Sequence, residues 1–117
     1  PDLKNAASQK YVADYKKKYG KLRVFYGAQS YDGIMLIDSA VKATKGNLKD
    51  SKALALAMRK ADYASIRGPV QFNVNHHPIQ NFYLLDTVKL QNGDIEMRIQ
   101  KTIFEKHKDS YYQDCKM

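Results

Sequence analysis

Cysteine is nearly absent from this chain. Cys115 stands alone among 117 residues, which rules out an intrachain disulfide and any cysteine-based metal cluster within it. The lone thiol is either the partner of a cysteine elsewhere in a longer molecule or a plain surface group. Arginine is scarce too, at positions 23, 59, 67 and 98. It is the usual reader of bases and phosphates, so its scarcity works against the nucleic-acid role that a net charge of +8 would suggest. The lysines are spread out, and the densest run is Lys16-Lys17-Lys18. At the end of a helix those cations meet the negative end of the dipole and need no other purpose. No apolar run is long enough to span a bilayer, and no signal peptide is visible. That says nothing about secretion in a chain that begins at Pro1 without an initiator Met. The phosphate loop, the Gly-x-Ser-x-Gly elbow and the His-Glu-x-x-His helix are missing as well. Neither catalysis nor a cofactor is expected.

A hydrophobic share of 44% is that of an ordinary globular protein and argues against disorder. Residues 5–19 predict an amphipathic helix with Asn5 as N-cap and Gly20 as a left-handed C-cap. Tyr11, Tyr15 and Tyr19 repeat every four residues with Val12 beside them, a face packed on a core with its hydroxyls at the rim. Leu22–Tyr26 reads as a short extended approach to a second helix, from about Gln29 to Thr44. Ile34, Ile37 and Val41 form its stripe, widened by Met35 and Leu36, which predicts burial on more than one side. A third helix starts near Asp50-Ser51 and places Leu54, Met58 and Ala61 on one face. Gly68-Pro69 breaks the helical pattern.

Beyond Gly68 the apolar period falls to two. Val70 and Phe72 predict a short strand. Phe82–Leu90 and Asp94–Ile103 flank Asn92-Gly93, a strong hairpin signal. A two-residue turn there sets Leu90 opposite Ile95, Val88 opposite Met97 and Lys89 opposite Glu96, a hairpin buried on one side. Standing alone, helices followed by strands would make an α+β domain. Yet one hairpin is a thin sheet, and the helices lack strands to pack on. Both shortages are those of a piece cut from a larger α/β protein.

Two segments carry a resemblance. Tyr26-Gly-Ala-Gln-Ser-Tyr-Asp-Gly33 opens a small-residue-rich helix, and Gly68-Pro-Val-Gln-Phe-Asn73 follows further on. Together with the charged helix ending in Tyr19-Gly20 and the terminal hairpin, they resemble the last third of an extracytoplasmic solute-binding protein of the branched-chain amino-acid ABC-transporter type. The tail, Tyr111-Tyr-Gln-Asp-Cys-Lys-Met117, fits the end of such a parent. The resemblance implies an α/β type I periplasmic-binding fold of two lobes that close over a ligand. Residues 1–78 would then be the helical part of the first lobe with a short strand. Residues 79–117 would hold the hinge crossing and the hairpin of the second. The implied partners are a small-molecule ligand (an amino acid, an amide or an aromatic acid) and the membrane permease of an ABC importer. The implied location is periplasmic or extracellular.

In open α/β sheets, ligands sit beyond the carboxyl ends of strands, where helix N-termini meet the crevice. A strand ending at Tyr26 and a helix starting near Ala28-Gln29 put Tyr26, Gly27, Ala28 and Gln29 at such a mouth. Tyr26 would pack the ligand and Gly27 would allow close approach. The N–H groups of Ala28 and Gln29 would help hold a carboxylate. The alternative for Tyr26 is a half-buried lobe residue. Asp32 reads as structural, a carboxylate in a helix's first turn stabilised by the dipole. His76 and His77 point to opposite faces of an extended segment and do not suit one metal ion. The competing whole-chain reading is a small basic α+β domain that binds nucleic acid or another anion. If the chain instead exists apart from a parent, it is expected to form a homodimer by exchanging elements.

Overall fold

Asn5 starts the first helix in the computed structural model, which describes residues 3–21 and 25–115. Its side-chain oxygen accepts the Ser8 N–H at 2.8 Å, and its amide donates to the Ile66 carbonyl at 3.4 Å. The first bond caps helix α1 (Ala6–Tyr19); the second ties that cap to a loop sixty residues away in sequence. Gly20 closes α1 in the left-handed region, φ +77°, and donates its N–H to the Lys16 carbonyl.

Helix α2 (Phe25–Ala43) begins earlier than the apolar pattern suggests. Leu22–Val24 of the expected extended approach lie outside the described residues, but Phe25 and Tyr26 are already helical. Contact with α1 decides the matter: Phe25 and Tyr26 suit strand and helix alike, and Gly27 has no side chain to collide with Tyr11 and Tyr15. Helix α3 (Ser51–Lys60) starts at Asp50, whose carboxylate accepts the Ala53 N–H at 3.0 Å. It stops at Ala61, left-handed at φ +49°, several residues short of Gly68-Pro69.

The sheet has order β1-β2-β3, all antiparallel, from β1 (Gln71–Phe72), β2 (Pro78–Lys89) and β3 (Ile95–His107). The hairpin β2–β3 is present, but its register is one residue away from expectation. Lys89 faces Ile95, Val88 faces Glu96, Thr87 faces Met97 and Asp86 faces Arg98. A two-residue I′ turn needs positive φ at both Asn92 and Gly93. Only Gly93 has it, at +85°. Leu90 instead donates to the Asp94 carbonyl at 2.7 Å and Gly93 donates to the Leu90 carbonyl at 2.9 Å. This is a three-residue loop with a glycine bulge, and the extra residue shifts every pair. Glu96 therefore shares a face with Val88, and the expected Lys89–Glu96 pair is replaced by Asp86 opposite Arg98. Three further register shifts, each with an extra residue on β3, coil the hairpin.

The core is small. Among the described residues, Tyr11, Ala40, Ala61 and Ile66 are the buried apolar ones. Ile34 and Ile37 of α2 are exposed, against the expectation of burial on two sides, and so are Leu85, Ile95 and Met97 on one hairpin face and Ile103 and Phe104 further along β3. The hairpin is thus not buried on one side. A body of 51 × 34 × 19 Å holds barely two layers of structure, so neither element has a second layer to cover it.

Two ionic contacts organise this body. Asp32, only 1% exposed, sits in the middle of α2 rather than in a first turn. It accepts from Ser65 Oγ at 2.7 Å, the Ile66 N–H at 3.0 Å and Arg67 Nε at 2.9 Å. Nearby, burial and then the Asp32 charge push the Tyr63 phenol above its ordinary value. Glu96, on β3, has a side chain 8% exposed and accepts from Lys16 Nζ of α1 at 3.2 Å and from Arg98 at 2.8 Å. The Lys16 hydrogen bond holds the Glu96 carboxyl below its ordinary 4.5, against the opposing effect of burial.

Replacing Asp32 by Ala removes three hydrogen bonds to a buried charged acceptor and is expected to cost about 2–4 kcal/mol by denaturant unfolding. Arg67→Ala strips the buried carboxylate of its counter-charge and of one hydrogen bond, so it should also be destabilising, by about 2 kcal/mol or more. A loss under about 0.5 kcal/mol in Arg67→Ala would show that the ion pair does not hold the carboxylate in place. For Glu96, a depressed folded pKa means the contribution is fully present above 4.5 and is lost as pH falls through the folded value. Glu96→Gln should therefore flatten the acid limb of a stability–pH curve below that pH, while leaving the alkaline limb unchanged.

Candidate functional site

The start of α2 carries the residues expected to meet a ligand, and the helix places each differently. Tyr26, in the first turn, is 78% exposed. Gln29 is exposed and Ala28 half-buried. Because the helix starts at Phe25, the Gln29 N–H falls inside the i→i−4 ladder and is spent on the carbonyl of residue 25. The positive end of the dipole accordingly sits at residues 25–27, ahead of Ala28 and Gln29.

Gly27 faces the tyrosine stripe of α1. A Cβ built there would lie 2.8 Å from Tyr11 Oη and 3.5 Å from Tyr15 Cε2, so the missing side chain is what allows α1 to approach. The rings of Tyr11 and Tyr15 lie 5.6 Å apart, Tyr15 and Tyr19 4.6 Å, and Tyr11 and Tyr31 5.1 Å, all tilted. The stripe packs at Tyr11 and Tyr15 but runs out to solvent at Tyr19, which is 57% exposed, and it differs from expectation at Tyr11 too. The Tyr11 hydroxyl is buried and has no hydrogen-bond partner among the described residues, instead of sitting at a wet rim. Burial pushes the Tyr11 phenol above its ordinary value, with Tyr15 adding to the shift.

Other candidates separate from this site. A shallow cavity of about 300 Å³ lies at the far end of α2, lined by Thr44, Asn47, Asp50 and Lys60 among others. Two of its polar groups are already committed: Asn47 accepts from the Lys49 N–H and Asp50 caps α3. His76, left-handed at φ +62°, lies against the Arg59 guanidinium. Cys115 is exposed. Among the described residues no helix is long and apolar enough to cross a membrane. The Asp32 clamp and the Lys16–Glu96 bond were beyond sequence reasoning, because each joins residues far apart in the chain and neither has a local pattern.

The sequence profile of the periplasmic binding protein family matches residues 1–94. The crystal structure of an ABC-transporter solute-binding protein from R. palustris, in complex with benzoate, aligns with a TM-score of 0.71 at 35% identity. The aligned region covers 84% of this chain and 26% of that one, so the chain spans about a quarter of its relative. No curated protein sequence matches the chain. The chain belongs to the periplasmic binding protein family, and its three helices and antiparallel sheet are a piece of that α/β fold.

Filling the Gly27 position tests the packing. Gly27→Ala is expected to cost about 1–3 kcal/mol through overpacking against Tyr11. Tyr11→Phe removes both the clashing oxygen and a buried hydroxyl without a partner, so it should be neutral or stabilising and should restore Gly27→Ala. Thermal melts of the two single variants and the double variant read the coupling; simple additivity would show that the close approach is not the cause.

Proposed function

We propose that this chain is the C-terminal portion of an extracytoplasmic solute-binding protein, which captures a small carboxylate ligand and delivers it to the permease of an ABC importer. The observation that carries the reading is the exposed Tyr26 at the start of α2, within the region matched by the family profile. An aromatic face beside the positive end of a helix suits an aliphatic or aromatic acid: the ring packs the body, and the dipole favours the carboxylate. Tyr26 and the Gln29 side chain then touch ligand. Gly27 and Ala28 keep the helix start close to α1. The benzoate held by the R. palustris relative is an acid of this kind, and branched-chain or other amino acids share the carboxylate.

In this reading residues 1–78 belong to the first lobe and residues 79–117 to the hinge crossing and the second. A ligand touching both lobes favours the closed state, which the permease recognises. The role is binding, not catalysis, and its place is the periplasm. Apart from the rest of the protein, the exposed apolar side chains of the hairpin are expected to pair with a second copy by exchange of elements.

Calorimetry on the complete protein with benzoate and with leucine tests this directly. One of the two should bind, and Tyr26→Ala should weaken that binding about tenfold, the loss of one well-packed aromatic contact. Unchanged affinity in Tyr26→Ala would remove the helix start from the site. Binding to a polyanion with steep salt dependence, and to neither acid, would favour a basic anion-binding domain instead.

A further inference from the structure

We infer that Lys16 and Glu96 form a latch between the two lobes. The inference rests on the lobe division proposed above, which places α1 in the first lobe and β3 in the second. Lys16 Nζ and Glu96 Oε1 are 3.2 Å apart across eighty residues of sequence. This bond joins a helix of the first part to the hairpin-tip end of β3, where Glu96 pairs with Val88, away from the crossing. A second side-chain bond between the two parts, Asn75 to Asp109 at 2.9 Å, lies close to the crossing itself. A bond at the hinge rotates with the lobes, whereas a bond away from it must break when they separate.

The two sides of the pair differ in a way that suits a latch. Glu96 is almost fully covered, while the Lys16 side chain is 47% exposed on its helix. Arg98 supplies the second cation to Glu96 from the same strand, two residues on. When the lobes part, Glu96 therefore keeps one partner and is not stranded as a buried lone charge, and Lys16 passes into water. Breaking an ion pair of this kind is cheap enough to be reversible, yet removing a charge-assisted bond shifts a two-state equilibrium by a measurable factor. Because a ligand that bridges the lobes must hold them together, a latch that already favours that arrangement raises apparent affinity.

Spin labels read the arrangement without any ligand. In the complete protein with Cys115→Ser, labels at Ala13→Cys on α1 and Thr102→Cys on β3 report the α1–β3 separation by pulsed dipolar spectroscopy. Lys16→Ala, and more so Lys16→Glu, should lengthen and broaden the distance distribution, while Lys16→Arg should restore it. Lys17→Ala, which removes the neighbouring exposed cation of α1, should leave it unchanged; circular dichroism confirms that each variant is folded. No change in Lys16→Glu, or an equal change in Lys17→Ala, would overturn the latch. In parallel, affinity for whichever of benzoate and leucine binds should fall by roughly three- to tenfold in Lys16→Ala. If neither acid binds the parent, the transport reading is at fault, and the distance measurement still decides the latch.

Discussion

Everything on the first side of the molecule hangs on the Asp32 carboxylate. Among the described residues it is the largest side chain that is wholly buried, and a buried charge is tolerable only where hydrogen bonds and a counter-charge meet it. Ser65, Ile66 and Arg67 provide both. Those three donors come from the loop after α3, so the bonds pin that loop to the middle of α2. Asn5 reaches the same loop through the Ile66 carbonyl, which brings in the start of α1. One acidic side chain thus gathers three helices that have little apolar core to share. The sheet follows from the same loop, since β1 starts only a few residues beyond it.

This explains how a body with so few buried apolar residues has a defined shape. Apolar burial near 25 cal/mol per Å² is non-directional, and where the covering layer is absent it cannot select one arrangement of helices. Directed bonds to one carboxylate can. The tyrosine stripe adds the second constraint: the missing Cβ of Gly27 makes room for Tyr11 and Tyr15 against the first turn of α2.

Much of this order was legible in the chain itself. Asn5, Gly20 and Asp50 mark helix ends by chemistry that acts within a few residues, and the structure uses all three. Asn92-Gly93 marks a turn. The register failed because the same dipeptide serves two loop geometries. The choice between them rests on the backbone of Asn92, which no local residue pattern dictates. The start of α2 was misplaced for a related reason, since Phe25 and Tyr26 suit strand and helix alike and contact with α1 decides. Asp32 was seen as structural, but its partners lie more than thirty residues away, where sequence periodicity carries no information. At the candidate site, the residues were legible as a segment, whereas the direction of each group depends on where the helix begins.

The exposed hairpin follows from the same physics. β2 and β3 carry apolar residues on both faces, as strands do when layers lie on either side, and apart from the contact of α1 at Glu96 most of both faces stays exposed. An isolated domain selected for solubility would place charges there. That the apolar residues remain, while the charged ones concentrate into defined contacts such as Glu96 with Lys16 and Arg98, fits a surface shaped by a larger α/β body. Belonging to the periplasmic binding protein family while spanning about a quarter of a relative's length accounts for both halves of that pattern. The bonds that order this part lie within it, and the apolar area that would stabilise it faces outward, toward the rest of the fold.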